Sequence, residues 1–282
     1  LPSAVTRPRM QLKYQLPLIY KNLLPREVLD FEPLETKADC DNCSMSRPQN
    51  KAKIHYRADL KCCTFHPFLP NYMVGAILSD EQSSAAHKIF EDKIARREYA
   101  LPIGMVAPVK YQLEFNHREE GDFGQREDWL CPYFNREKQN CNVWRHRGVV
   151  CTTFFCKSSY GKKGLNFWDK LSSYLWYVEL ALLEEALVML DFSPRQVMTL
   201  LDYHNRYEGT AAEKKSWVLP EAKAKELWNG YYDDQVGFYK KSYKIISELD
   251  KKAFHEMIGE QGQDLEEELF MMLNNLKKEQ PE

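Results

Sequence analysis

The chain has 282 residues, a mass of 33.3 kDa, a formal net charge of -2 and a pI near 6.4. That length suits one large domain or two smaller ones with a core that needs no staples. The near-neutral balance argues against a general nucleic-acid binder, which would carry a basic field.

Residues 1–39 read as an extended N-terminal arm, because Pro2, Pro8, Pro17, Pro25 and Pro33 interrupt regular structure. Residues 1–20 also lack the continuous apolar run of a secretory signal, so the expected compartment is cytoplasmic. Residues 64–78 are strongly apolar and lead into a helix whose buried face is Val74, Ile77 and Leu78. A second helix is expected over Ser83–Ala100, with Ala86, Ile89, Phe90 and Ile94 inward and Lys88, Lys93, Arg96 and Arg97 in water. Tyr111–Phe115 alternates apolar and polar residues as a strand would, and 117–128 reads as a charged surface loop.

From Asn166 the pattern is helical. Asn166–Asp191 forms one long helix. Ser193-Pro194 supplies an N-cap and a first-turn proline for a helix to about Tyr207. Further helices are expected over Pro220–Asn229, Tyr231–Ile258 (stopped by Gly259 and Gly262) and Asp264–Lys278. The apolar run Leu171–Leu190 contains Glu179, Glu184 and Glu185, so it reads as a buried helix and no membrane span is expected. A di-iron carboxylate site would need Glu-x2-His pairs, which this helix lacks. Its glutamates are therefore expected to face solvent or pair with arginine, with Tyr203 and His204 one conceivable partner pair.

The cysteines carry the chemistry. Of eight, the first block is Cys40-x2-Cys43 with the adjacent pair Cys62-Cys63 after 18 further residues. After 67 residues without cysteine come Cys131, Cys141, Cys151 and Cys156. Eight thiols in a chain this long point to soft-metal ligation over a disulfide framework. All eight are candidate ligands, enough for two four-cysteine sites. The two side chains of an extended Cys62-Cys63 pair point opposite ways, so one thiol is available to each centre, or one of the two is structural. Cys156 equally suits a small buried apolar residue beside Phe154 and Phe155.

The two blocks resemble the cysteine-rich YkgJ-type domain, a zinc- or iron-chelating module. Its outline is C-x2-C, CC, C-x-[FY]-[LF], C-x-[IV]-[YW] and R-P-x2-C. Cys131–Phe134 is similar to the third element, Cys141–Trp144 to the fourth and Arg147–Cys151 to the last. Gly148 stands where the family has proline, and the stretch between Cys43 and Cys62 is longer than the family's. The resemblance covers 40–156. It implies a metal centre, and with it the family-level possibility of group transfer, since its relatives include flagellin lysine methylases.

A cubane cluster needs four converging thiolates in an apolar shell. Phe65, Tyr133, Phe134, Val143, Trp144, Phe154 and Phe155 flank these cysteines. Structural zinc favours paired Cys-x2-Cys knuckles, and this chain has one. A [4Fe-4S] cluster is therefore the expected cofactor, with zinc the alternative. His66 is a further candidate ligand but more naturally a turn residue before Pro67. His146 is expected at the surface or on a backbone hydrogen bond. His55, His87, His117, His204 and His255 are expected at the surface. The loop Ser159–Gly164 reads as a connector more than an anion site.

The resulting expectation is a mainly α protein. An irregular cysteine-rich metal-binding region, 40–165, packs on a C-terminal helical bundle, 166–282. The cluster serves a redox or group-transfer role (protein or RNA modification), or the metal is structural or redox-sensing and the helical half recruits a protein partner.

Overall fold

The computed structural model describes residues 10–33, 43–46, 56–154 and 161–279. Cys40, Cys156, His55, Phe155, Ser159 and Tyr160 lie outside the described residues. Among those described, eleven helices dominate and the five strands are two residues each, so the protein is mainly α as expected.

The prolines of the N-terminal segment do not prevent local helices. A 3₁₀ turn at Leu12–Tyr14 is followed by α1 (Tyr20–Leu23) and α2 (Arg26–Leu29). Leu12, Tyr20, Leu23, Leu24, Val28 and Phe31 are buried, so 10–33 is an integral part of the core. Next come β1 (Leu69–Pro70) and α3 (Asn71–Ser79), whose residues Asn71 to Leu78 are all buried. The expected face of Val74, Ile77 and Leu78 is thus one side of a helix enclosed all round.

α4 (Ser84–Ala95) ends earlier than expected, because Arg97 and Tyr99 adopt positive φ and turn the chain into β2 (Ala100–Leu101). Ala86 and Phe90 are buried as expected. Lys93, expected in water, is also buried, with its Nζ 3.4 Å from a Glu98 carboxylate. β3 (Gly104–Met105) pairs antiparallel with both β1 and β2. The expected strand at Tyr111–Phe115 is instead within α5 (Val109–Asn116). Five alternating residues do not fix a period. Pro108, at the N-cap, sets the backbone for a helix start.

β4 (Phe134–Asn135) and β5 (Asn140–Cys141) form a short hairpin. α6 (Val149–Thr153) follows and packs on α7 (Gly161–Val188). α8 (Pro194–Leu201) has the expected Ser193 cap, completed by Gln196 into a reciprocal capping box. It stops at Leu201, short of Tyr207. α9 (Glu221–Trp228) matches its expected span. The single helix expected from Tyr231 is broken into a 3₁₀ stretch, α10 (Gln235–Ser247) and α11 (Lys251–Glu279). Gly259, at φ 58° and ψ -169°, is non-helical and divides α11 into two helical arms at a kink, where the stop was expected. α10 packs on α3 and α11 on α7, which joins the two halves through one continuous core. Among the described residues no helix is long and apolar enough to cross a membrane.

Candidate metal centre

Four backbone features bring the cysteine blocks together. Cys62 and Cys63 lie in a run of turns entered at Lys61, which has φ 57°. Cys131 is tied directly to this run, its N–H donating to the Cys63 carbonyl at 2.7 Å. The β4–β5 hairpin places Cys141 opposite Phe134, and α6 carries Cys151.

Cys62, Cys63, Cys131, Cys141 and Cys151 all line one cavity of about 340 Å³. The rest of its wall is mainly apolar and aromatic, including Phe65, Phe115, Phe123 and Tyr133. Trp144 and Val150, partly exposed, belong to the same wall, and Arg118 and Arg147 supply its positive charge. The Arg147 guanidinium sits 3.4 Å from the Trp144 ring centroid, and that of Arg118 4.2 Å from the Phe115 ring centroid.

The thiols influence one another. A hydrogen bond with Cys63 lowers the Cys62 pKa, and the same bond raises that of Cys63. Burial raises Cys131 well above an ordinary thiol, with Cys141, Cys151 and Cys62 adding to the effect. Several thiolates cannot share this apolar space unless a cation compensates them. All six described cysteines are thiols and none is in a disulfide.

Cys43 is not in the cavity wall; its sulfur accepts a hydrogen bond from Ser46 Oγ at 3.2 Å. Cys40 and Cys156 fall outside the described residues. Among the described residues, no three His, Cys, Asp or Glu side chains are set to hold a single metal ion.

Several neighbours depart from expectation. His66 faces away from the thiols: it stacks on Tyr111 at 4.1 Å, and its Nε2 lies 3.1 Å from the Leu130 carbonyl. His146, expected at the surface or on a backbone hydrogen bond, is buried with its Nε2 3.0 Å from a side-chain oxygen, Asp80 Oδ2. His204 is packed between Phe68 and Trp176, with ring centroids 4.6 and 4.9 Å away.

Glu179, expected in water or on arginine, is fully buried. Its Oε1 accepts the Val149 N–H at 3.0 Å and the Tyr20 hydroxyl at 3.4 Å. It thus satisfies an N–H that α6 leaves without a helical partner. Burial pushes its carboxyl up to about 8, against the downward pull of those two hydrogen bonds. No periodicity signals this, because the partner is thirty residues earlier in the chain.

Gly148 also has a structural reason. A Cβ there would lie 2.4 Å from the Phe68 carbonyl oxygen, so this chain has no room for the proline of the resembled motif.

Compared with family models, curated proteins and solved structures, the chain matches none. The likeness to the YkgJ-type domain therefore stands on the quoted residues alone.

Proposed function

We propose that the five-cysteine cavity holds a metal centre and that the chain is a metalloprotein of the YkgJ type. An iron–sulfur cluster, [4Fe-4S] in form, is the first assignment and zinc the second. The observation that carries this reading is the convergence of five cysteines, drawn from both sequence blocks, on one apolar cavity.

The donor set fits a cluster better than a lone ion. Thiolates around one tetrahedral zinc, with Zn–S near 2.3 Å, stand only about 3.8 Å apart. No described trio is set for that. A cubane spreads its four ligands over separate iron corners, which suits thiols distributed around a wall. Cys131, the buried one of the five, and three of Cys62, Cys63, Cys141 and Cys151 would be ligands, and the remaining thiol a hydrogen-bonding neighbour. Phe65, Phe115 and Tyr133 would exclude water, and Arg118 and Arg147 would balance the cluster's net charge. Such a centre supplies one-electron redox chemistry when bound. Thiols of this kind persist in a reducing compartment, which supports a cytoplasmic setting.

The second reading is a structural or redox-sensing metal, with the helical half recruiting a protein. Val188, Met189 and Met198, all exposed near the α7–α8 corner, favour it.

The test is anaerobic purification with visible spectroscopy and assays for iron, zinc and labile sulfide. A brown protein with equal iron and sulfide is the expected result. A colourless zinc protein replaces the first assignment by the second, and a protein that takes up neither metal refutes both.

A further inference from the structure

Beside its five thiols, the thiol cavity has four polar side chains in its wall: the Tyr133 hydroxyl, the Trp144 indole and the guanidiniums of Arg118 and Arg147. No carboxylate and no side-chain amide lines it, so every fixed charge in the wall is positive. The two arginines differ in access. Arg147 is buried, whereas Arg118 is exposed in the turn that follows α5. Trp144 and Val150 are 40% and 42% exposed, and with Arg118 they mark where the cavity meets solvent.

Arg118 is held in place but not neutralised. Its Nη1 donates to the Phe115 carbonyl at 2.9 Å, and its guanidinium carbon lies 4.2 Å from the centroid of the Phe115 ring. Nε and Nη2 have no partner among the described residues. These two N–H groups form one edge of the guanidinium, an edge that matches the two oxygens of a carboxylate. Arg57, Arg126, Arg136 and Arg145 each pair with an Asp or Glu. Among the described residues Arg118 pairs with none, although Glu119 and Glu120 follow it in the chain. Phe115 itself belongs to a continuous aromatic wall. Its ring lies 5.4 Å from that of Phe65 and 6.4 Å from that of Phe123, which in turn is 6.2 Å from Phe154. All four rings line the cavity.

We propose that the mouth of this cavity binds a small aromatic monocarboxylate, with its ring on the phenylalanine wall and its carboxylate on Arg118. An apolar cavity of about 150 Å³ accommodates benzene, and about 340 Å³ is present, so a single ring leaves space for the metal centre. The wall supplies edge and offset contacts to the ring. Arg118 is thereby the counter-charge of the incoming anion, and Arg147 is left to the centre. The proposal names the substrate class of the centre and in that sense rests on that reading, but its binding residues are not thiols, so the two can fail separately.

Benzoate and benzamide test it, being alike in shape but differing in charge. Calorimetric titration of the full chain as purified should show one saturable benzoate site. Benzamide should bind about ten-fold more weakly, the effect of losing a charge-assisted contact. Raising the salt concentration should weaken benzoate and leave benzamide unchanged. Arg118→Gln should bring benzoate down to the level of benzamide. Arg126→Gln is the control: that guanidinium also lies 4.2 Å from an aromatic ring, Trp129, but outside the cavity wall, and its loss should change nothing. Val150→Trp, which fills the mouth from α6, should abolish binding of both probes and decides the matter if Arg118→Gln does not fold. No benzoate site, equal affinity for the two probes, an equal loss in Arg126→Gln, or benzoate binding that survives Arg118→Gln or Val150→Trp each overturns the proposal. Iron, zinc and sulfide assays on the same preparation separate the two readings. A metal-free chain that binds benzoate in this way loses only the centre, and a metal-loaded chain that does not bind it loses only the carboxylate site.

Discussion

Replacing Glu179 by glutamine should change how stability depends on pH while leaving the fold intact. The glutamine side chain would keep an oxygen for the Val149 N–H and the Tyr20 hydroxyl, and it mimics the protonated acid in shape. The native carboxyl is raised from an ordinary 4.5 to about 8 by burial. A group whose folded pKa is raised holds its proton more tightly in the folded state. The folded protein is then favoured at low pH and loses stability as pH climbs from about 4.5 through about 8. At 1.36 kcal/mol for each pH unit of that interval, the loss integrates to about 5 kcal/mol. The assay is urea unfolding of both proteins at pH 5, 7 and 9. Near pH 5 their midpoints should nearly coincide. By pH 9 the glutamine variant should be the more stable by several kcal/mol, and other titrating groups cancel in the difference. Parallel pH profiles, or a variant that loses ground at pH 9, would refute the claim that Glu179 is buried and protonated at neutral pH.

Three further substitutions probe the cysteine region. Gly148→Pro restores the residue of the resembled motif yet should destabilise the chain by about 2 kcal/mol or more, because the Phe68 carbonyl occupies the needed space; thermal melting checks this, and an unchanged midpoint contradicts the close approach. Cys131→Ser should lower bound metal per chain at least about ten-fold, whereas Cys43→Ser should leave it unchanged, as read by elemental analysis. Equal losses would place Cys43 among the ligands.

The long helices were legible in the sequence because burial on one side leaves a 3.6-residue period over many turns. Phe90 and Ala86 in α4 are examples, and the Ser193 cap marked the start of α8. Short segments were not: five alternating residues in α5 look like a strand until Pro108 and the neighbouring helices decide. The cysteines announced a shared site, and five of them meet in one cavity. That Cys43 stands apart follows from the fold, since spacing fixes neither direction nor distance across 18 residues. Glu179, His204, His146 and Lys93 were expected at the surface because polar residues usually are. Glu179, His204 and His146 are sheltered by contacts remote in sequence, which local pattern cannot encode, and Lys93 meets Glu98 five residues on.

The hydrogen bond from Cys131 to Cys63 closes a loop of 67 intervening residues. Most of that span is ordered into α3, α4, α5 and the small sheet, but residues 117–120 are exposed at its outer turn. Lengthening a flexible closed loop is entropically inexpensive: a doubling adds only about 0.6 kcal/mol. The turn at 117–120 is thus where this architecture can grow. Added segments there would extend the rim of the thiol cavity without displacing the cysteines that the closure holds in register.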